Sequence, residues 1–184
     1  MTDLMESRQN RDFESSLHSE DKLELRVWLR LQTCSNMIEQ HVRSGLRREF
    51  DTTLPRFDVL AQLDRAPDGM TMGQLSGHLM VSNGNITGLV DRLVQEGLVT
   101  RAPVPGDRRT HMVRLNDVGR TALAEMLPVH ESWIVDLMAG FDRKEMSLLL
   151  ELLARFKGSL ENSAENSLKN KSSLPKSSLQ GENG

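Results

Sequence analysis

The sequence predicts a mainly α fold with a small β-hairpin wing, a winged helix-turn-helix flanked by N- and C-terminal dimerisation helices. Three observations carry that expectation. Between about residues 21 and 160, apolar side chains recur mostly at spacings of three and four, the period of helices with one buried face. The pattern breaks once, at Leu98–Pro103 and Thr110–Leu115, two short extended segments joined by Pro105-Gly106-Asp107, which reads as a hairpin tip. Aromatics are scarce, with two Trp, five Phe and no Tyr, so the helices must pack through Leu, Val and Met.

Each element follows in order. Residues 1–20 are polar and are expected to form a mobile N-terminal segment. Leu23, Val27, Leu31, Cys34, Ile38 and Val42 make one apolar stripe, so residues 21–50 are assigned to an N-terminal dimerisation helix. Residues 51–115 are assigned to the winged helix-turn-helix. Thr53-Leu54-Pro55 opens its first helix, with proline in the first turn and Phe57, Leu60 and Leu63 inward. Ala66-Pro67-Asp68-Gly69 is a turn, and Thr71 caps a short helix over Met72–Met80. Ser82 is the expected N-cap of a helix over Asn83–Glu96, and Gly97 stands where a helix-ending glycine belongs. Ile86, Leu89, Val90 and Leu93 form the buried face of that helix. The prolines of the hairpin place it at a sheet edge. Residues 116–162 are assigned to C-terminal dimerisation helices. Asn116 caps the first, with Leu123, Leu127, Ile134 and Leu137 on one face and a kink expected at Pro128. Asp142 and Glu145 open the second with a capping box. Residues 163–184, rich in Ser, Asn and Lys, are expected to be a disordered tail.

Composition narrows the function classes. No apolar run is long enough to span a membrane, and the acidic N-terminus does not resemble a secretory signal. A single cysteine fits a reducing cytoplasm, where the protein is expected to reside. The five histidines are scattered without metal-ligand spacing, and no phosphate loop, nucleophile elbow or zinc-protease motif is present, so neither enzyme nor cofactor is expected. The net charge of −3 is unevenly spread. Residues 1–24 carry seven acids against three bases, whereas residues 26–48 carry five arginines against Glu39 alone. Residues 98–115 carry four arginines against Asp107. The basic segments therefore matter more than the sum.

With Ile86 inward, the opposite face of the 83–96 helix carries Gly84, Gly88, Asp91 and Gln95, flanked by Asn85, Thr87 and Arg92. Small polar groups at a helix N-terminus suit base edges and phosphates. Beside them, Asp107-Arg108-Arg109 sits on a projecting ribbon, where a guanidinium can enter the negative minor groove and the carboxylate can hold it in register. The candidate DNA-binding residues are Thr71, Ser82, Asn83, Asn85, Thr87, Arg92, Asp107, Arg108 and Arg109.

The stretch Met80–Gly119, "MVSNGNITGLVDRLVQEGLVTRAPVPGDRRTHMVRLNDVG", resembles the MarR family, and the likeness extends over roughly residues 21–160. The family pattern is matched at Leu89–Leu93, Gly97–Val99, Arg101, Asp107–Arg109 and Val113 through Gly119. The resemblance implies a DNA-binding homodimer and a repressor released by a diffusible effector. It implies DNA contacts at Ser82, Asn83, Asn85 and Thr87 and a minor-groove arginine at Arg108. Gly88 departs from the pattern, in which a larger or basic residue is common. A winged domain used for protein contacts is the alternative.

In the family, effectors bind between the dimerisation helices and the winged domain. The arginines of the first helix call for partners: DNA phosphates, an anionic effector, or salt bridges and solvent. The segment from Leu25 to Pro67 is similar to the MarR branch that responds to hydroxycinnamoyl-CoA thioesters. That similarity implies a small aromatic carboxylate or aromatic acyl-CoA effector, with Arg26, Trp28, Arg30, Arg43, Arg47, Arg48, Arg56 and Phe57 as candidate contacts. Some relatives sense oxidants through cysteine, but Cys34, on the apolar stripe, is expected to be a small buried residue.

Overall fold

A computed structural model describes residues 22–79, 83–104 and 106–172. The expected N-terminal segment 1–20, the expected cap Ser82 and Pro105 of the wing tip lie outside the described residues, as do the side chains of Asn83, Arg108 and Arg109. The order is α1 (Leu23–Phe50), α2 (Leu54–Asp64), β1 (Met70–Thr71), α3 (Met72–Leu79), α4 (Asn83–Gln95), β2 (Val99–Val104), β3 (Asp107–Leu115), α5 (Asp117–Leu137) and α6 (Arg143–Ser172). This is a mainly α fold with a winged helix-turn-helix at its centre. The described residues form two compact units, one ending at Leu137 and the other beginning at Met138.

The first unit is organised around one core. Leu46 of α1, Leu60 and Leu63 of α2, Leu75 of α3, Ile86, Val90 and Leu93 of α4, Val113 of β3 and Leu123 of α5 are all essentially inaccessible to solvent. Burying each such side chain contributes about 1.5–3 kcal/mol, so the core locks the short helices that are too brief to persist alone. The sheet has three antiparallel strands in the order β1-β3-β2. The two-residue strand β1, which pairs Met70 with Val113 and Thr71 with Met112, was not expected: two residues carry no periodicity. Strand β2 lies at an edge with Pro103 in it, as a residue without an N–H donor requires.

Capping explains several boundaries. Thr71 and Gln74 form a reciprocal box, the Gln74 N–H donating to Thr71 Oγ1 at 3.2 Å and the Thr71 N–H to Gln74 Oε1 at 2.8 Å. Gly97 adopts φ +71 after α4, a left-handed conformation that costs glycine little, and Leu98 N–H closes back on Leu93 O at 2.9 Å. Asn116 Oδ1 accepts from Gly119 N–H at 2.9 Å, while its Nδ2 donates to Gly97 O at 2.7 Å, so one side chain caps α5 and ties it to the turn after α4.

Three expectations change. The buried stripe of α5 is Gly119, Leu123, Met126 and Trp133, whereas Leu127 and Leu137 are exposed. The bulk of Trp133, set against Gly45 of α1, rotates the helix by about one position from the stripe that the leucines suggest. Cys34 is exposed rather than buried, because only the C-terminal half of α1 is covered within the chain. Leu23, Leu25, Val27 and Trp28 in its first half stand open to solvent. Helix α6 runs to Ser172, beyond the expected start of a disordered tail at 163, although Ser and Asn supply five of the ten residues 163–172; residues 173–184 lie outside the described residues. Within the second unit, the Asp142–Glu145 capping box forms as expected, with Asp142 Oδ1 accepting from Glu145 N–H at 2.9 Å and Glu145 Oε2 from Asp142 N–H at 2.9 Å.

Helices α1 and α5 approach closely where Gly45 faces the indole of Trp133. A Cβ at Gly45 would lie 2.6 Å from Trp133 Cη2. Trp133 is itself wedged beside Phe50 and His130, so it has little room to withdraw. Gly45→Ala is therefore expected to destabilise the protein by about 1–3 kcal/mol through overpacking, read as a lower urea midpoint at unchanged slope. Gly158→Ala on α6, where an added Cβ meets nothing, is the control.

Candidate nucleic-acid interface and effector cleft

Helix α4 presents Ile86, Val90 and Leu93 to the core and leaves Gly84, Asn85, Gly88, Asp91, Arg92 and Gln95 exposed. Its outward face is therefore the one that the helical period assigns to it. Thr87 is half-buried on the flank. Thr71 sits one element away, and its hydroxyl is engaged in the cap of α3, which gives this residue a structural task alongside any contact with DNA.

The wing is fixed to the same helix. Arg101 of β2 donates to Asp91 Oδ1 of α4 at 2.8 Å, an ion pair that links the ribbon to the helix. On β3, Asp107 accepts a hydrogen bond from Thr110 Oγ1 at 2.6 Å, bracing the turn from which Arg108 and Arg109 follow. The open polar face of α4 and the ribbon joined to it by Arg101–Asp91 are the candidate nucleic-acid interface.

Along the same side of α4 opens a cleft of about 610 Å³, bounded by Glu39 and Arg43 of α1, Leu54, Pro55 and Asp58 of α2, Leu79 of α3, and Gly84, Asn85, Ile86, Gly88, Leu89 and Arg92 of α4. Its walls are mostly apolar, with two arginines and two carboxylates at the margins. An added Cβ at Gly84 or Gly88 would meet nothing within 4 Å, so these glycines leave room in the cleft. Asn85 and Arg92, expected at the DNA surface, also line this cleft. Asp58 has its pKa raised above 3.8, first by burial and then by the nearby charge of Glu39.

The arginines expected to hold an effector do not converge. Arg43 lines the cleft and is paired with Glu39. Arg47 lies 3.7 Å from Asp51, and Arg48 pairs with Glu49 at 2.7 Å. Arg26, Trp28 and Arg30 sit on the exposed first half of α1. At 1.5 Å per residue, Trp28 is roughly 22 Å along the helix from Arg43, too far to share one pocket within a chain. Phe57 is 5% exposed and stacks on His130 at 4.8 Å, so it is a core residue and not a pocket wall. Burial lowers the pKa of that histidine below 6.5. Arg56 forks onto Glu96, its Nη1 donating to Oε1 at 2.7 Å and its Nη2 to Oε2. Of the partners that the sequence left open for the arginines of α1, local salt bridges are the ones seen for Arg43, Arg47 and Arg48, and sequence reasoning did not single out Asp51 or Glu49. It also missed Asp58, whose signal was a lone carboxylate between Phe57 and Val59 in an otherwise apolar turn.

A family model described as MarR family matches residues 50–110, from the end of α1 to the wing. A MarR family transcriptional regulator from Silicibacter pomeroyi, solved as a crystal structure, is 32% identical, with 79% of this chain and 99% of that chain covered and a TM-score of 0.64. The chain belongs to the MarR family. PecS, an HTH-type transcriptional regulator from Dickeya dadantii, is 34% identical over 108 residues, covering 58% of this chain and 65% of PecS, less than two thirds of its length. A mutant of MarR from E. coli, complexed with operator DNA, has the same fold at 24% identity and a TM-score of 0.66, over 75% of this chain and 98% of that chain. Among the described residues of this MarR-family chain, no helix is long and apolar enough to cross a membrane.

The cleft yields a pH test. Because Asp58 holds its proton more tightly in the folded chain than in the unfolded one, its favourable contribution is full below 3.8 and is lost as pH rises through the higher folded value. At neutral pH the charged carboxylate is a cost. Asp58→Asn is expected to be more stable than the wild type at pH 7, with the difference shrinking as pH approaches 3.8. Urea midpoints measured across that range check it, and a difference that grows on acidification contradicts it.

Proposed function

We propose that this chain is a DNA-binding transcriptional regulator that acts as a homodimer on operator DNA and responds to a small aromatic effector. The observation that carries the DNA reading is the Arg101–Asp91 pair, which holds the basic wing beside the open face of α4. Asn83, Asn85 and Thr87 are the base- and phosphate-contacting candidates, with Ser82 before them in sequence; Arg108 is the minor-groove candidate, and Arg109 and Arg92 are further candidate contacts. Dimerisation is supported by the apolar residues that the single chain leaves exposed: Leu23, Val27 and Trp28 on α1, and Leu148, Leu150, Leu152, Leu153 and Phe156 on α6. A second copy is the economical cover for such surfaces in a symmetric regulator.

The effector reading moves from the scattered arginines to the cleft. Leu54, Pro55, Leu79, Ile86 and Leu89 offer an apolar seat for an aromatic ring, and Arg43 and Arg92 offer charge for a carboxylate. A volume of about 610 Å³ lies within the usual range of small-ligand sites. If the effector is an aromatic acyl-CoA, the acyl group occupies this cleft and the phosphates lie outside, against basic residues such as Arg47 and Arg48. Since α4 forms one wall, an occupant is in direct contact with the DNA-reading helix. A 100-fold release of operator needs a coupling of roughly 2.7 kcal/mol between the two ligands.

A salt-titrated mobility-shift assay on the promoter beside its own gene tests the reading, with unrelated DNA of equal length as control. Specific binding to a pseudo-palindrome with half-sites roughly 10 bp apart is expected. Arg108→Ala is expected to lose about 1–3 kcal/mol of binding with little change in thermal stability. Equal affinity for both DNAs at fixed salt contradicts the assignment. Calorimetry with a hydroxycinnamoyl-CoA and its parent acid identifies the effector class: tighter binding of the thioester supports the acyl-CoA, and equal binding supports the carboxylate.

A further inference from the structure

The two ends of α2 and α4 that meet at Arg56 and Glu96 carry charge of the wrong sign for their own helices. Arg56 lies in the first turn of α2, where the helix dipole favours acids, and Glu96 directly follows α4, where it favours bases. Neither residue helps its own helix. Together, however, they fork onto each other through both guanidinium nitrogens and both carboxylate oxygens, across 40 positions of sequence. Each then sits where its charge suits the other helix: the guanidinium at the end of α4 and the carboxylate at the start of α2. The Arg56 side chain is 26% exposed and its Nε is buried without a hydrogen-bond partner among the described residues, so the group is held by Glu96 rather than shared with solvent.

Helix α4 is thereby fastened from two directions. Asp91 ties it to β2, and Glu96 ties it to α2. Residues five apart on a helix lie about 140° apart around its axis, so the two pairs together resist rolling of α4 as well as tilting. We propose that Arg56 and Glu96 are positioning residues, a clasp that sets the orientation of α4 against α2 and thereby makes DNA binding sequence-specific. This inference rests on the DNA-binding reading above. Base readout depends on the orientation of the helix, whereas non-specific binding depends mainly on charge.

The sign of one substitution separates the clasp from simple electrostatics. Glu96→Gln removes a negative charge, which by field alone strengthens binding to any DNA. The clasp predicts the opposite for the operator: about a tenfold loss of specific affinity, a typical scale for a bidentate ion pair, with non-specific affinity unchanged or slightly higher. Arg56→Gln is expected to lower specific affinity similarly without changing the salt slope. The exchanged pair, Arg56→Glu with Glu96→Arg, is expected to restore the ratio of specific to non-specific binding, since each charge then also suits its own helix. A retained ratio in Glu96→Gln overturns the clasp. A salt slope reduced by about one in Arg56→Gln also overturns it, because that marks a phosphate contact. Urea unfolding, without DNA, of the wild type, Arg56→Glu, Glu96→Arg and the exchanged pair supplies a measurement independent of the functional reading. The clasp requires the exchanged pair to be more stable than the sum of its single variants allows, and simple additivity overturns it. If the wild type shows that coupling but no operator preference, the clasp stands as a structural pair, its proposed role in readout is overturned, and the DNA-binding reading fails with it.

Discussion

Burial of the Ile86, Val90 and Leu93 face of α4 is the constraint on which the rest of the first unit depends. These three side chains meet α1, α2, α3, α5 and the sheet in one shared core. A helix of 13 residues is marginal alone, and this one carries two glycines that weaken it further. Its helicity comes from the core. Because the buried face is fixed, the opposite face is fixed as well, and the polar residues at its N-terminal end are presented to solvent as a consequence of packing.

Around that buried face, charge does what apolar contact cannot. Hydrophobic burial is non-directional and tolerates rotation of a helix about its axis. The forked Arg56–Glu96 pair and the single Arg101–Asp91 contact have preferred geometry, and they refine the rotation that burial sets coarsely. Capping completes the frame: Asn116 joins the turn after α4 to the start of α5, so the ends of the reading helix, wing and following helix are held by a few hydrogen bonds. The cleft lies where α1 and α2 do not close onto the glycine side of α4, the side that also carries Asn85 and Arg92. A space bounded on one side by the reading helix has a direct mechanical route to DNA affinity, with no longer relay through the chain.

Much of this was legible in the sequence because it rests on local rules. The 3.6-residue period gave the helices and the inward face of α4, and Thr71, Gly97, Asn116 and Asp142 marked boundaries through caps whose chemistry is contained within a few residues. The stretch from Met80 to Gly119 carried the family resemblance for the same reason: its spacing is short-range. What local rules could not give was partnership. The sequence left the arginines of α1 open between DNA phosphates, an anionic effector and salt bridges, and the fold pairs Arg43 with Glu39, Arg47 with Asp51 and Arg48 with Glu49; Phe57, a candidate effector contact by sequence, is buried against His130.

The sequence by itself determined the order of elements, the period of each helix, the open polar face of α4 and the basic composition of the wing, since each follows from residue type at fixed spacing. Only the tertiary structure decided that β1 joins the sheet, that α5 turns Met126 and Trp133 inward instead of Leu127, and that Arg56 is spent on Glu96 forty residues away. Those outcomes depend on which surfaces approach one another. That is settled by the fit of large side chains such as Trp133 against small ones such as Gly45, and by the pairing of half-buried charges, neither of which has a periodicity that a linear reading can detect.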